Sequence, residues 1–414
     1  MQRKKTSKFF SSNKISPTHA SSPSATPLLS KLQRNLKDFQ ATDVNGRSLL
    51  HRAALSQNSD LLIDIISDFE QALFHLPLSA SSPSSQISPT LLSYLNSPDK
   101  FGNPPILNCL VNELDHSGVS RKKCLEILLG KGADINVQCR RTLWNAAFWA
   151  GHHGDIEVMK ILLEQKNLDI HKPDRDGLFP LDIAGRWGHQ AVGRLLMEEL
   201  RRRLAEYEKG VVRRDKWWEG PLLKNSLFFW MVKMGGGVGG VIDVCRLRGV
   251  IVECPMWTEH EATVFHVAAQ GKQNEVLEKI MEDSKGGVRE RKDFCSRKNY
   301  TKFVFDIEEN EVLSLQKAEV KRFSGKFVKL IKKFAKWKFA YEKEIKERSL
   351  ENMKIFYDCA DSFGNTPLHL ATMAGNEEGV RMLLKSGCSR DNKNKEGFAP
   401  QELTFVEGIK MVIY

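Results

Sequence analysis

The sequence predicts an all-α solenoid, built from short helix pairs stacked side by side and broken by irregular insertions. Two observations carry this expectation. A single turn–helix–helix pattern recurs along the chain, and its best-spaced copies, at Asn145 and Phe179, are offset by 34 residues. A unit of that size cannot bury its own apolar face, so neighbouring copies must share one core.

The clearest unit begins at Asp361 and reads DSFGNTPLHLATMAGNEEGVRMLLKSG. Gly364 suits a tight turn with positive φ. Thr366 suits the cap of a first helix and Pro367 its first turn. Leu368, Leu370 and Ala371 give that helix a narrow packing face, and Gly375 suits a left-handed stop. Val380, Met382, Leu383 and Leu384 supply the apolar side of a second helix, closed by Gly387.

The same grammar returns elsewhere. Asp43 opens DVNGRSLLHRAAL, with Ser48 as cap, His51, and the small pair Ala53/Ala54. Asp99 opens a degraded copy, DKFGNPPILNCL, followed by KKCLEILLGKGADIN. Asn145 opens NAAFWAGHHGDIEVMKILLE, and Asp174 opens DRDGLFPLDIAGRWGHQAVGRLL. Thr263 opens TVFHVAAQGKQNEVLEKIM, and Gly397 opens a partial copy, GFAPQELT. The histidine of the pattern is present as His51, His266 and His369 and is replaced by Leu107, Phe148 and Asp182. Those three copies are expected to lose its hydrogen bonds and to be locally less rigid.

These residues resemble the ankyrin repeat family. TPLHLA at Thr366–Ala371 and KGADIN at Lys131–Asn136 match its signature nearly letter for letter. The resemblance covers roughly 60% of the chain, with a period close to the family's, about 33 residues. It implies a β-turn finger plus two antiparallel helices per unit, with fingers and first helices lining a concave face that binds partners. It also implies that His51, His266 and His369 are structural.

Several stretches fall outside the pattern. The N-terminus, MQRKKTSKFFSSNKISPTHASSPSATPLLSKLQRNLK, is basic, Ser/Pro-rich and free of acids before Asp38. That composition is read as a disordered basic tail, with an organelle transit peptide or a nuclear signal at Arg3, Lys4 and Lys5 as the alternatives. Residues 78–97 are expected to form a Ser/Pro-rich surface loop. Glu198 to Glu219 reads as a charged extension of the preceding helix. Asn225 to Cys245 reads NSLFFWMVKMGGGVGGVIDVC. Its glycines at 235/239 and 236/240 would suit a membrane span, yet Lys233, Asp243 and the glycine run argue against one. In register, Ser226 to Gly236 fits a degenerate copy with cap, apolar helix and glycine stop, and that reading is preferred.

The segment Lys321 to Ala340, KRFSGKFVKLIKKFAKWKFA, is a basic amphipathic helix in the making. Phe327, Ile331, Phe334, Trp337, Tyr341 and Ile345 form one stripe, flanked by Lys329, Lys332, Lys333 and Lys336. Such a segment packs on a solenoid with its lysines solvated, or binds calmodulin or acidic lipid. Phe327, Phe334 and Tyr341 stand one residue off the usual calmodulin anchor spacing. Nucleic acid is not expected as a partner, since no recognised module accompanies the lysines. The expected organisation is thus a tail at 1–40, repeats at 41–200, a helix extension with a degenerate and one further repeat at 201–282, a basic helical insertion at 283–355, and repeats at 356–414.

The chain has 414 residues, a formal net charge of +11 and eight cysteines. The positive excess favours acidic partners. No CxxC pair and no zinc spacing occur, so the cysteines read as reduced and the compartment as cytoplasmic or nuclear, with organelle import or membrane association as the alternatives. No phosphate-cradle, GxSxG, HExxH or kinase motif is present, so neither catalysis, a cofactor nor a metal is expected. His152 and His153 are adjacent, and side chains about 100° apart on a helix do not converge on one ion.

Function is therefore expected in exposed residues on the concave face of a non-enzymatic, monomeric scaffold or adaptor with a protein partner, acidic in character. Placed on the family's geometry, the candidates are Arg140, Arg141, Trp144, Trp149, His152, His153, Arg186 and Trp187, because Trp and Arg dominate interface energetics. The alternative is a membrane-associated protein using residues 225–245 or the basic helix at 321–345.

Overall fold

The structure is a computed structural model that describes residues 38–39, 41–74, 89–111, 119–208, 221–235, 260, 262–282 and 358–413. Among these residues the extended regular elements are helices, in the order α1 (Leu49–Leu55), α2 (Ser59–Phe74), α3 (Pro89–Leu95), α4 (Pro105–Val111), α5 (Val119–Gly130), α6 (Ala146–His153), α7 (Ile156–Glu164), α8 (Pro180–Arg186), α9 (Gln190–Glu208), α10 (Pro221–Lys233), α11 (Val264–Gln270), α12 (Pro367–Met373), α13 (Glu377–Lys385) and α14 (Glu407–Ile413), with helical turns also at 274–282 and Pro400–Leu403.

The helices form two layers. First helices stack in the series α1, α4, α6, α8, α10, α11, α12 and the Pro400–Leu403 turn, each packed on the next. Second helices run alongside as α2, α5, α7 and α9. One continuous apolar spine lies between the layers and includes Leu50, Ile106, Ala147, Leu181, Phe228, Phe265 and Leu368, all nearly inaccessible to solvent. The series passes directly from α11 to α12, although nearly a hundred residues separate them in sequence.

Apart from α10, with 13 residues, each first helix is about two turns long or shorter, too short to be stable in isolation. It is held by its cap and by the next copy. The residue three places into the helix closes that cap. His51 Nδ1 accepts from the Ser48 N–H at 3.2 Å, His266 Nδ1 from Thr263 N–H at 3.1 Å, and His369 Nδ1 from Thr366 N–H at 3.1 Å. With Nδ1 an acceptor, the proton sits on Nε2, which in two of the three donates to the next finger: His266 to Asn365 O at 2.9 Å and His369 to Phe398 O at 3.1 Å. The imidazole thus ties one copy to the next.

The Asp182 and Phe148 copies are not left unbraced, which corrects the expectation for those two. Its Oδ2 accepts from the Phe179 N–H at 2.8 Å, and its Oδ1 accepts from Ser226 Oγ–H and Trp230 Nε1–H, both at 2.6 Å. The carboxylate does with acceptors what imidazole does with one donor and one acceptor, because α10 offers side-chain donors where other copies offer a finger carbonyl. In the Phe148 copy, Asn145 takes over: its Oδ1 accepts from Ala147 N–H at 3.1 Å and its Nδ2 donates to Asp169 O at 2.8 Å.

Three boundaries differ from the sequence reading. Phe39 is fully buried against Phe69 and Tyr94, so the core begins inside the segment assigned to the tail. Residues 89–95, assigned to a loop, form α3, because Leu91, Tyr94 and Leu95 fall on one side of it and Tyr94 stacks on Phe69 at 4.4 Å. Ser226 does not cap a helix: α10 starts at Pro221, and Ser226 lies inside it, buried on Asp182. Helix α10 nevertheless occupies a first-helix place between α8 and α11, with Gly235 at φ 73° as its stop. Gly185 permits this contact, since a Cβ there would lie 2.4 Å from the Trp230 ring. No helix of the described residues is long and apolar enough to cross a membrane.

Burial pushes the His266 pKa down to about 4 and lowers that of His369. A base whose folded pKa lies below its unfolded value, about 6.5, stays neutral in the fold and destabilises it once acid must protonate it. Lowering the pH from 6.5 to 4 should therefore remove up to about 3 kcal/mol of stability through His266, and hydrogen exchange should show protection lost first at 263–270 and 366–373. Asp182→Ala orphans three buried donors and should cost about 3 kcal/mol in urea unfolding followed by tryptophan fluorescence.

Candidate functional site

The candidates lie on one finger, Cys139–Trp144, and on helices α6 and α8. Small residues decide which side of these helices faces the stack. Ala147, Ala150 and Ala184 are buried at the packing side, and a Cβ on Gly151 would stand 3.0 Å from Pro180 O. The helices approach so closely there that the bulky side chains of Trp149, His152, His153 and Trp187 must lie on the other side.

There they form one run of ring contacts. Trp144 meets Trp149 edge-on at 4.9 Å, and His152 sits 5.9 Å from Trp149 and 5.1 Å from His153. Trp149 stacks on His153 at 5.9 Å. His152 then meets Trp187 at 4.6 Å and 87°, crossing from α6 to α8. Edge-to-face packing of this kind aligns ring edges with neighbouring π faces and holds the rings rigidly. Backbone carbonyls anchor the run: His153 Nε2–H donates to Leu110 O at 2.8 Å, and His189 Nε2–H to His152 O at 3.0 Å. The Trp149 Nε1–H meets no acceptor among the described residues.

The candidates differ in access. Trp187 is 55% exposed and Trp144 only 6%. Trp144 is therefore corrected from a surface residue to a structural one. Its ring stacks on Phe148 at 5.8 Å and its Nε1–H donates to Asp174 Oδ2 at 2.9 Å, pinning this finger to the next. Trp149, His152 and His153 are half-buried, while Arg140, Arg141 and Arg186 are exposed. Arg186 lies within electrostatic reach of the buried Asp182 carboxyl.

The finger itself is unusual. Where other copies hold Asp and Gly it has Cys139 and Leu143, and Leu143 takes φ 64°, a left-handed conformation costly for a branched aliphatic residue. Cys139 Sγ and Thr142 Oγ1 lie 2.8 Å apart and replace the bonds an aspartate would make. Arg140 and Arg141 are carried on this strained turn.

Three further basic residues share the same repeat columns and were not singled out from sequence. Lys233 stands where α8 has Arg186, is exposed, and lies 4.7 Å over the Trp230 ring. Lys100 and Arg175 stand at the finger position of Arg140. Aligning the copies column by column, rather than searching for motifs, is the signal that finds them. Lys329, Lys332, Lys333, Lys336, Phe327, Phe334 and Trp337 of the basic segment lie outside the described residues. Among the described residues no group of histidine, cysteine and acidic side chains could hold a metal ion.

Burial raises the pKa of Asp174 to about 6, against hydrogen bonds from Trp144, Leu178 and Asp176 that lower it. A carboxyl whose folded pKa exceeds its unfolded value takes stability away as pH rises from about 4 through 6. Trp144→Phe keeps the ring but removes a donor to the ionised form. It should cost about 1–2 kcal/mol at pH 8 and clearly less at pH 5, as read by urea titrations at the two pH values.

Family models for ankyrin repeats match residues 116–204, as three copies, and residues 363–395, as one. Alpha-latrotoxin-Lt1a of Latrodectus tredecimguttatus is 26% identical over 160 residues, covering 39% of this chain and 9% of the toxin. Alpha-latrotoxin-Lh1a of Latrodectus hasselti is 27% identical over 160 residues, covering 39% and 10%. The chain thus spans about a tenth of the length of these relatives. The crystal structure of the ankyrin repeat domain of Bcl-3, described as a unique member of the IkappaB protein family, aligns with 89% of this chain and 99% of its own at a TM-score of 0.36 and 13% identity. The matched family models, together with the recurring finger and helix-pair geometry, make this chain an ankyrin repeat protein.

Proposed function

We propose that the chain is a scaffold or adaptor that performs no catalysis and holds an acidic protein segment on the face made by α6, α8 and their fingers. Ankyrin repeats are protein-interaction modules, and the ankyrin fold is typically non-enzymatic. The observation that carries the reading is Trp187: an indole more than half exposed, held edge-on by His152, beside the exposed Arg186. An exposed tryptophan beside arginine loses water and gains directed hydrogen bonds when a partner covers it. The net charge of +11 supports an acidic partner. Cys109 and Cys124 are free and buried, Cys388 is buried as well, and burial raises the thiol pKa of all three, which suits a reducing compartment such as cytoplasm or nucleus.

Arg186→Ala with Trp187→Ala should reduce partner capture in a pull-down by roughly a hundredfold, with helicity and unfolding midpoint close to those of the parent chain. Undiminished capture by this folded double variant would remove the assignment of this face.

A further inference from the structure

The fingers carry a second regularity. The first turn residue of each finger is Val44, Lys100, Arg140, Arg175, Ser362 or Lys395. Three consecutive fingers therefore present a cation at the same place. Lys100 and Arg140 are exposed and Arg175 is half-buried, and two of the three acids of these turns face inward. Asp99 and Asp174 are buried within their own turns, where Asp99 Oδ1 accepts from Phe101 and Asn103, and Asp176 is the one exposed acid of the three fingers.

Backbone hydrogen bonds set the spacing of these cations. Within a finger, Asp99 N–H donates to Asn103 O at 3.0 Å, Cys139 N–H to Trp144 O at 3.0 Å and Asp174 N–H to Leu178 O at 2.8 Å. Between fingers, Lys100 N–H donates to Asn45 O at 3.0 Å, Arg140 N–H to Phe101 O at 3.3 Å and Arg175 N–H to Thr142 O at 2.9 Å. Gly102 makes the close approach possible, since a Cβ there would lie 2.8 Å from the Arg140 nitrogen. Each finger thus contributes two strand spacings of about 4.8 Å, which sets Lys100, Arg140 and Arg175 roughly 10 Å apart.

We infer that this edge binds an acidic segment in polyproline II conformation, with a carboxylate at every third residue. The inference deepens the acidic-partner reading above and rests on it. A polyproline II chain has three residues per turn and rises about 3.1 Å per residue, so every third side chain returns to the same side after about 9.3 Å. A β-strand does not match: same-face residues recur at about 6.6 or 13 Å. Phe101, half exposed between Lys100 and Arg140 and with the Arg47 guanidinium 5.7 Å over its ring, supplies the apolar surface on which the intervening prolines would rest.

The test is fluorescence anisotropy on the full chain with a labelled peptide of about four Glu-Pro-Pro triplets, compared with an isomer of the same composition whose glutamates are contiguous. The triplet peptide should bind about tenfold more tightly than the isomer. Lys100→Ala, Arg140→Ala and Arg175→Ala should each weaken it about threefold, as exposed charge pairs do. Lys395→Ala, at the same column in a distant copy, should leave it unchanged. Equal binding of the two isomers, insensitivity to the three alanines, tighter binding of a helical peptide with glutamate at every seventh residue, or stronger displacement by a single-stranded oligonucleotide than by unlabelled triplet peptide would each overturn the inference. Partner capture by Arg186→Ala/Trp187→Ala is read separately. If capture depends on that pair while the triplet peptide fails, only the polyproline II inference falls.

Discussion

A two-turn helix with its cap open is not a stable object, and among the described residues every first helix except α10 is about that short or shorter. Where a polar side chain stands three residues into the helix it closes that helix's own cap, and at Asp182, His266 and His369 it also reaches into the next copy. Imidazole performs it at His266 and His369 with one acceptor and one donor. Carboxylate performs it at Asp182 with acceptors alone, and Glu402 closes the last cap by accepting from Ala399 N–H at 2.6 Å. The choice follows from the neighbour. A finger carbonyl needs a donor, whereas the hydroxyl and indole of α10 need an acceptor. These links bury ionisable groups away from water, so the stability of the stack depends on pH from both sides: buried histidines resist acid and the buried Asp174 and Asp182 resist ionisation.

The same packing builds the surface. Close first-helix contacts demand Ala and Gly on the stack side, and this leaves large side chains only on the outer side. On α6, on α8 and just after it those are Trp149, His152, His153, Arg186 and Trp187, and mutual contacts fix the four rings before any partner arrives. Rigid aromatic anchors lose little entropy on binding, which is why such clusters carry interface energy. Trp144 shows the cost of reading exposure from residue type. Its indole is consumed in pinning two fingers together, and what it presents to the surface is the position of Arg140 and Arg141.

Continuity across the long interruption has a physical basis as well. Helices α11 and α12 pack as closely as sequential neighbours, and His266 bonds to the Asn365 carbonyl across 99 positions of sequence. Asn376 adds bonds to Ala269 O at 3.0 Å and Asn274 Oδ1 at 2.9 Å. Loop-closure entropy grows only with the logarithm of loop length, so an insertion of this size is compatible with an unbroken stack.

Local residue chemistry determined the repeat: the turn glycines, the capping Ser and Thr, the histidines and the small–large alternation can be read one copy at a time, because caps, turns and apolar periodicity are local. Helices α6, α8, α12 and α13, and the clustering of Arg186 with Trp187, follow from that pattern. What local pattern cannot hold is who faces whom. Asp182 looked like a lost brace until Ser226 and Trp230 of another helix were placed against it, and Ser226 looked like a cap until α10 began five residues earlier. Phe39 and α3 joined the core because Phe69 and Tyr94 met them. Trp144 was buried by an aspartate thirty positions away, and Lys100, Arg140 and Arg175 became one edge only through backbone bonds between fingers. Such decisions belong to tertiary structure because the free energy of a polar or aromatic side chain is set by its partner and by the water it loses, and both come from chain far away in sequence.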